Sequence, residues 1–197
     1  MKLTLIHASQ EYRTQITDFL DEYTNSGERL VPSALSKKDY HNYDECRQFF
    51  NDRQYPTEAG HVPATLYFCL DEERNILVGA IDIRHYLNEP LLAFGGHIGD
   101  GVRPSERRKG IATQMIGLAL QKCKELNIDK VLMTCLKENI PSAKSIMNNG
   151  GVLENEIEVE GKIYQRYWID LTKRNRLAST RQALLLLVMF YINFVSF

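Results

Sequence analysis

The stretch "GVRPSERRKGIATQM" at residues 101–115 changes character twice. It opens like the end of a strand, gathers Arg107, Arg108 and Lys109 in a loop, and runs past Gly110 into a helical pattern. Arg103, Arg107, Arg108 and Lys109 against Glu106 alone give a local charge of +3 in a chain whose formal net charge is −1. A helix that starts near Gly110 leaves its first N–H groups without intrahelical partners, at the positive end of its dipole. That junction suits an anion. Gly110 and Ala112 keep the approach free of bulk, and Thr113 adds a hydroxyl. Plain solvation of a surface turn by three bases is the alternative reading. A Walker phosphate loop is excluded, because no G-x-x-x-x-G-K-[ST] occurs here, and "GGHIGDG" (95–101) lacks the order G-x-G-x-x-G.

Outward from the loop, Ala112, Met115, Ile116, Ala119, Leu120, Cys123 and Leu126 recur at spacings of three and four and predict a helix over 109–126. "KVLMTCL" (130–136) is an apolar run of strand length, and "HIGDGVR" (97–103) reads as a glycine-rich strand. Glycine inside a strand marks a bulge or a close approach by a ligand. Upstream, "LTLIHA" (3–8) reads as a strand, and a helix from Ser9 or Gln10 to Tyr23 puts Ile16, Phe19, Leu20 and Tyr23 on one face. A loop "NSGERLVPSALS", a short helix over 43–54, and a hairpin over 64–70 and 76–87 follow. Downstream, "SAKSIMNNGG" is a short helix closed by Gly150, and a last hairpin turns at Glu160-Gly161. The order β-α-α-β-β-β-α-β-α-β-β is that of an α+β (mixed-sheet α/β) protein.

At 197 residues, with 44% apolar and 25% charged residues, the chain suits one globular domain, here set at 1–171. The near-zero net charge points to no nucleic-acid partner. Cys46, Cys69, Cys123 and Cys135 form no C-x-x-C and have no histidine at ligand spacing, so neither a disulfide framework nor a metal site is expected, and reduced thiols fit a cytoplasmic protein. No secretory signal is read at the N-terminus. Residues 172–197 stand apart: a basic run with Lys173, Arg174, Arg176 and Arg181, then "ALLLLVMFYINFVSF". As a helix the latter would span ~22 Å against a hydrocarbon core of ~30 Å. An interfacial membrane contact, packing on the domain and packing on a second subunit in a homodimer all stay open for it.

"V-R-P-S-E-R-R-K-G-I-A" resembles the acetyl-CoA signature of the GNAT N-acetyltransferase superfamily, [QR]-x-x-G-x-[GA] after a strand ending V-x-P. Arg107, Gly110 and Ala112 fill its named places, Val102 and Pro104 match the strand end, and Asn139 matches an asparagine that follows the next strand. The likeness is detailed from His97 to Gly150 and extends in element order to Asp170. It implies the GNAT acyl-CoA N-acyltransferase fold, a mostly antiparallel central sheet flanked by helices, whose fourth and fifth strands splay apart around the pantetheine arm. It also implies a pyrophosphate seated on the N–H groups of Arg108 to Thr113. The cofactor-side residues it implies are Asp100, Gly101, Val102, Arg107, Arg108, Lys109, Gly110, Ile111, Ala112, Thr113, Asn139 and Ser142. The implied reaction moves an acetyl group from acetyl-CoA, a co-substrate, to a primary amine of a small molecule or peptide by direct attack.

An alkyl amine has a pKa of ~10.4, so its proton must be removed near neutral pH. His97 and Asp100 are the candidate bases, with a structural histidine and a strand-end acceptor as their plainer readings. The family's acid is often a tyrosine seven positions beyond the asparagine, and here that position is Ile146. Tyr164 and Tyr167 are substitutes, although aromatics beside Trp168 also serve to close a sheet. Arg84 and His85 could line the acceptor site, as could Glu28, Arg29 and Ser33 in the long loop, and Cys135 reads as a buried small residue. The vacancy at Ile146 raises a second function, a catalytically degenerate CoA-binding sensor or adaptor.

Overall fold

Eight consecutive buried residues, Ala64–Asp71, mark a strand covered on both faces, and the fold is built around it. The computed structural model describes residues 1–56 and 59–172. In chain order the elements are β1 (Leu3–Ile6), α1 (Arg13–Asn25), α2 (Tyr43–Asp52), β2 (Ala64–Asp71), β3 (Ile76–Arg84), β4 (Ile98–Val102), α3 (Ile111–Glu125), β5 (Lys130–Leu136), α4 (Ile140–Asn148), β6 (Val152–Val159) and β7 (Lys162–Asp170). They form two antiparallel sheets, β1-β2-β3-β4 and β5-β7-β6. The α+β expectation holds.

The strand period decides which helices cover which face. Residues Ile81, Ile83 and Ile98 of the first sheet join Val131, Met133, Tyr167 and Ile169 of the second in one core, packed with Met115 and Ile116 of α3 and Ile146 of α4. Ala80, Leu66 and Phe68 look the other way, into a second core with Ile16, Phe19 and Leu20 of α1 and Phe50 of α2. Each large side chain taken out of water there contributes roughly 1.5–3 kcal/mol, which is what holds helices this short on the sheet. The four cysteines are buried and unpaired.

β4 and β5 share no ladder, so the splay expected of them is present. They touch at one end, where His97 donates its N–H to the Leu132 carbonyl (2.8 Å) and Leu132 donates its N–H to His97 Nδ1 (3.0 Å). Residues 91–95 form one turn of π-helix, which the sequence pattern does not announce. Asn88 starts it by accepting the Leu91 N–H (3.1 Å); β3 stops at Arg84, where the chain bends at His85 and Tyr86, instead of running on to Leu87. Helix α3 begins at Ile111, two residues later than expected, because Arg108 and Gly110 both have positive φ (64° and 76°) and cannot continue a right-handed turn. Positive φ at Glu160 and Gly161 makes the tight turn expected between β6 and β7. The basic and apolar stretch over 173–197 lies outside the described residues. Among those described, no helix is long and apolar enough to cross a membrane.

Candidate active site

The gap between β4 and β5 is the starting point. Arg84 donates its N–H to the His97 carbonyl (2.8 Å), and Arg103 donates its N–H to the Val78 carbonyl (2.9 Å). Odd-numbered residues of β4 are thus the ones bonded to β3, and the N–H and C=O groups of Ile98, Asp100 and Val102 point to the open edge. Among the described residues, only the Val102 carbonyl is capped along that edge, by the Tyr23 hydroxyl (2.7 Å) and Arg107 Nε (3.3 Å). An edge left bare of partners needs a ligand or water to satisfy it. Gly101 lies under the Val31 carbonyl and the Tyr23 hydroxyl, so that a Cβ there would collide with the carbonyl and crowd the hydroxyl.

Charge in the basic loop is mostly spent inside the protein. Arg103 pairs with Asp18 (2.8 Å) and Glu22 (2.5 Å), pinning the loop to α1. Arg107 makes a two-pronged bond to Glu28 (2.9 and 2.6 Å), a loop residue whose sequence reading is a candidate acceptor contact or a plain surface position. Lys109 pairs with Glu106 (3.0 Å), which also takes both prongs of Arg74 (3.0 and 2.8 Å). Arg74 and then Lys109 hold the Glu106 carboxyl down at about 2. Among the described residues no carboxylate pairs with Arg108.

What remains for an anion is backbone. The first bond into α3 runs from the Gln114 N–H to the Gly110 carbonyl (3.2 Å), so Ile111, Ala112 and Thr113 have N–H groups free of the helix. A Cβ on Gly110 would meet nothing within 4 Å, which leaves open space over these donors. Asn139 caps α4 by accepting the Ser142 N–H (3.2 Å). A cavity of about 530 Å³ joins these parts, from Val31 and Tyr23, past Asp100, Gly101 and Val102, to Arg107, Arg108, Gly110, Ile111 and Ala112, and across to Asn139 and Ser142. Lys109 and Thr113 flank it without lining it. Free donors, bare strand edge and open volume together fit the diphosphate and amide-rich arm of a CoA thioester.

The model of the acetyltransferase (GNAT) domain matches residues 13–152. The chain belongs to the GNAT acetyltransferase family. Solved GNAT-fold structures agree: the spermidine/spermine N-acetyltransferase SpeG from Vibrio cholerae, in mutant forms, superposes with a TM-score of 0.58 at 18% identity, covering 89% of this chain and 99% of that one. The microcin C7 self immunity acetyltransferase MccE, solved with acetyl-CoA and AMP, gives 0.60 at 17% identity, covering 86% and 92%. No curated protein matches the chain in sequence.

Within this GNAT domain the groups named for proton transfer fall in separate places. His97 is 7% exposed, and its Nδ1 lone pair is engaged by the Leu132 N–H, so the ring proton sits on Nε2. Burial, and then the charge of Arg84, push its pKa down to about 4. Its ring meets Trp168 edge-on at 6.5 Å. Tyr164 and Tyr167 lie three residues apart on one strand and so face opposite sides. Tyr164 packs edge-on against Phe94 (4.5 Å), while Tyr167 is buried in the α3/α4 core and donates to Gln165 (2.7 Å). Neither lines the cavity. Ile146 is fully buried. Asp100 is half-buried on the open strand, and burial pushes its carboxyl up to about 6. Cys135 is buried, which raises its thiol pKa. Tyr23, read in the sequence as a core position of the first helix, and Glu28, read as a candidate acceptor contact, shape the cavity mouth instead; that role left no local signal, because their partners lie some eighty residues away in the chain.

Proposed function

We propose that this protein transfers the acetyl group of acetyl-CoA to a primary amine by direct attack across the β4–β5 gap. The observation that carries this reading is the continuity of one cleft from the free N–H groups of α3 to the bare edge of β4. In this reading the diphosphate is held by the N–H groups of Ile111, Ala112 and Thr113 with Arg108 beside them, and Lys109 and Arg107 act through Glu106 and Glu28. The pantetheine amides complete the hydrogen bonding of Asp100 and Val102, and Asn139 and Ser142 border the arm from the other side.

The neutral amine nitrogen attacks the thioester carbon, the C–S bond breaks, and the thiolate departs. With a thiol pKa of ~8.5 it needs no strong acid, consistent with the buried Ile146 in the usual acid's position. Asp100, ionised above pH 6 and bordering the gap, takes the amine proton, directly or through one water. His97 serves as the clasp that sets where the strands part, and Tyr164 is the tyrosine on the acceptor side.

Calorimetric titration with CoA, followed by thiol release from acetyl-CoA with a panel of amines, tests the assignment. Binding that saturates and turnover on at least one amine are expected, and absence of CoA binding at millimolar ligand overturns it. Gly110→Val, which forces a branched side chain into a left-handed conformation over the free donors, is expected to weaken CoA binding at least as much as Lys109→Ala. The buried Ile146 also favours a second reading, a CoA-binding sensor, which predicts saturable binding with no turnover on any amine.

A further inference from the structure

Two arginines and one aspartate are packed together on the face of the first sheet that looks toward α1 and α2. Asp82 is 1% exposed, and Arg53 Nη2 reaches both of its oxygens at 2.8 Å, while Arg84 Nε lies 3.5 Å from one of them. The trio carries one positive charge in excess, and it is largely buried.

Its position matters. Asp82 is paired in register with Gly99 of β4, and the Arg84 guanidinium lies against Gly99, where an added Cβ would sit 3.5 Å from Nη1. Arg84 Nη1 holds the carbonyls of Gly95 and Gly96 (3.3 Å each), just before His97. Arg84 thus borders the gap from the face opposite Asp100 and the α3 donors. In the acetyl-transfer reading the first substrate is seated on the other face, which leaves this one for the second. Arg84 Nη2 makes no hydrogen bond within the described chain and is not sealed from solvent. Arg53 extends in the other direction, into a cavity of about 650 Å³ whose walls also include Lys37, Phe49, Tyr55 and Asp52. Asp52 is exposed, and Asp82 is already engaged by both arginines.

A buried excess charge is costly unless a counter-charge joins it. Arg53 balances Asp82 directly, so the unmatched charge is that of Arg84, whose planar fork has spare N–H groups that match a carboxylate, while an acceptor made only of cationic amines meets repulsion from it. We propose that the acetyl acceptor is an amine that also carries a carboxylate, of amino-acid type, with the carboxylate bound by Arg84 and the amine directed into the β4–β5 gap. This rests on the acetyl-transfer reading above and names the class of its acceptor.

The test is calorimetry on the full chain saturated with CoA, titrated with a panel of free amino acids, their C-terminal amides, and spermidine. Binding is the readout because an amide also lowers the pKa of the neighbouring amine and so alters its reactivity. At least one amino acid should bind about tenfold or more tightly than its amide, the value of one charge-assisted hydrogen bond. Arg84→Gln should collapse that preference and keep CoA affinity, and Arg84→Lys should restore part of it. The proposal is overturned if amides or spermidine bind as well as the acids, or if CoA binds and no amino acid does. Failure of CoA to bind at all is a different outcome, and it removes the acetyl-transfer reading itself. The acid-to-amide ratio in the unaltered protein decides the matter even if an Arg84 variant does not fold.

Discussion

Asp100 is the residue whose chemistry departs most from its type. Its folded pKa of about 6 lies above the ordinary value of 3.8, so the folded protein binds the proton more tightly than the unfolded chain does. Stability therefore falls as pH rises from 3.8 to about 6, and above that window the charged carboxylate costs on the order of 3 kcal/mol. Asp100→Asn should raise Tm at pH 7.5 and lose that advantage near pH 4, when melting curves are compared across the range. In the acetyl-transfer reading the same change lowers kcat and leaves CoA affinity alone. At this scale the sequence is informative about identity and weak on environment. That Ile146 stands where the family's acid is often found follows from the resemblance, and the opposite faces of Tyr164 and Tyr167 follow from their odd separation on a strand. That a histidine would have its Nδ1 taken by the backbone of a strand thirty-five residues away is invisible without coordinates.

Elements were legible in proportion to their periodicity. β5 was expected at 130–136 and spans those residues, since a short apolar run bounded by charge has few other uses. The start of α3 was misplaced by two residues because positive φ at a non-glycine, Arg108, leaves no mark in composition. The loop before it looked like a reservoir of positive charge, yet Arg103 and Arg107 are committed to Asp18, Glu22 and Glu28, across 79 to 85 positions of sequence. Glu106 is the hub of that element. Its depressed pKa contributes stability that is fully present above pH 4.5 and is lost as pH falls through about 2. Glu106→Gln, which weakens the hold on Arg74 and Lys109, should destabilise the fold by about 1–3 kcal/mol, read from urea midpoints at pH 7. Arg108→Ala, by contrast, should leave the midpoint in place and weaken CoA binding by about tenfold, as loss of one charge-assisted contact would.

For the whole molecule, the decisive property is that two antiparallel sheets meet at a clasp and then part. The antiparallel β2-β3 and β6-β7 pairs were readable as hairpins, the pairings of β1 with β2 and of β5 with β7 were not, and the parting of β4 and β5 came with the family resemblance. The division of labour between faces needed the register: Asp100 and the α3 donors on one side, Arg84 and Asp82 on the other. The bare edge of β4 has a consequence in amide hydrogen exchange. Along this strand protection should alternate residue by residue, with Gly99 and Gly101 slow and Asp100 and Val102 fast in the free protein. Saturating CoA should then slow only the second pair, turning a comb-like pattern into a uniform one. If all four amides slowed together, the ligand would be tightening the sheet as a whole instead of completing its missing edge.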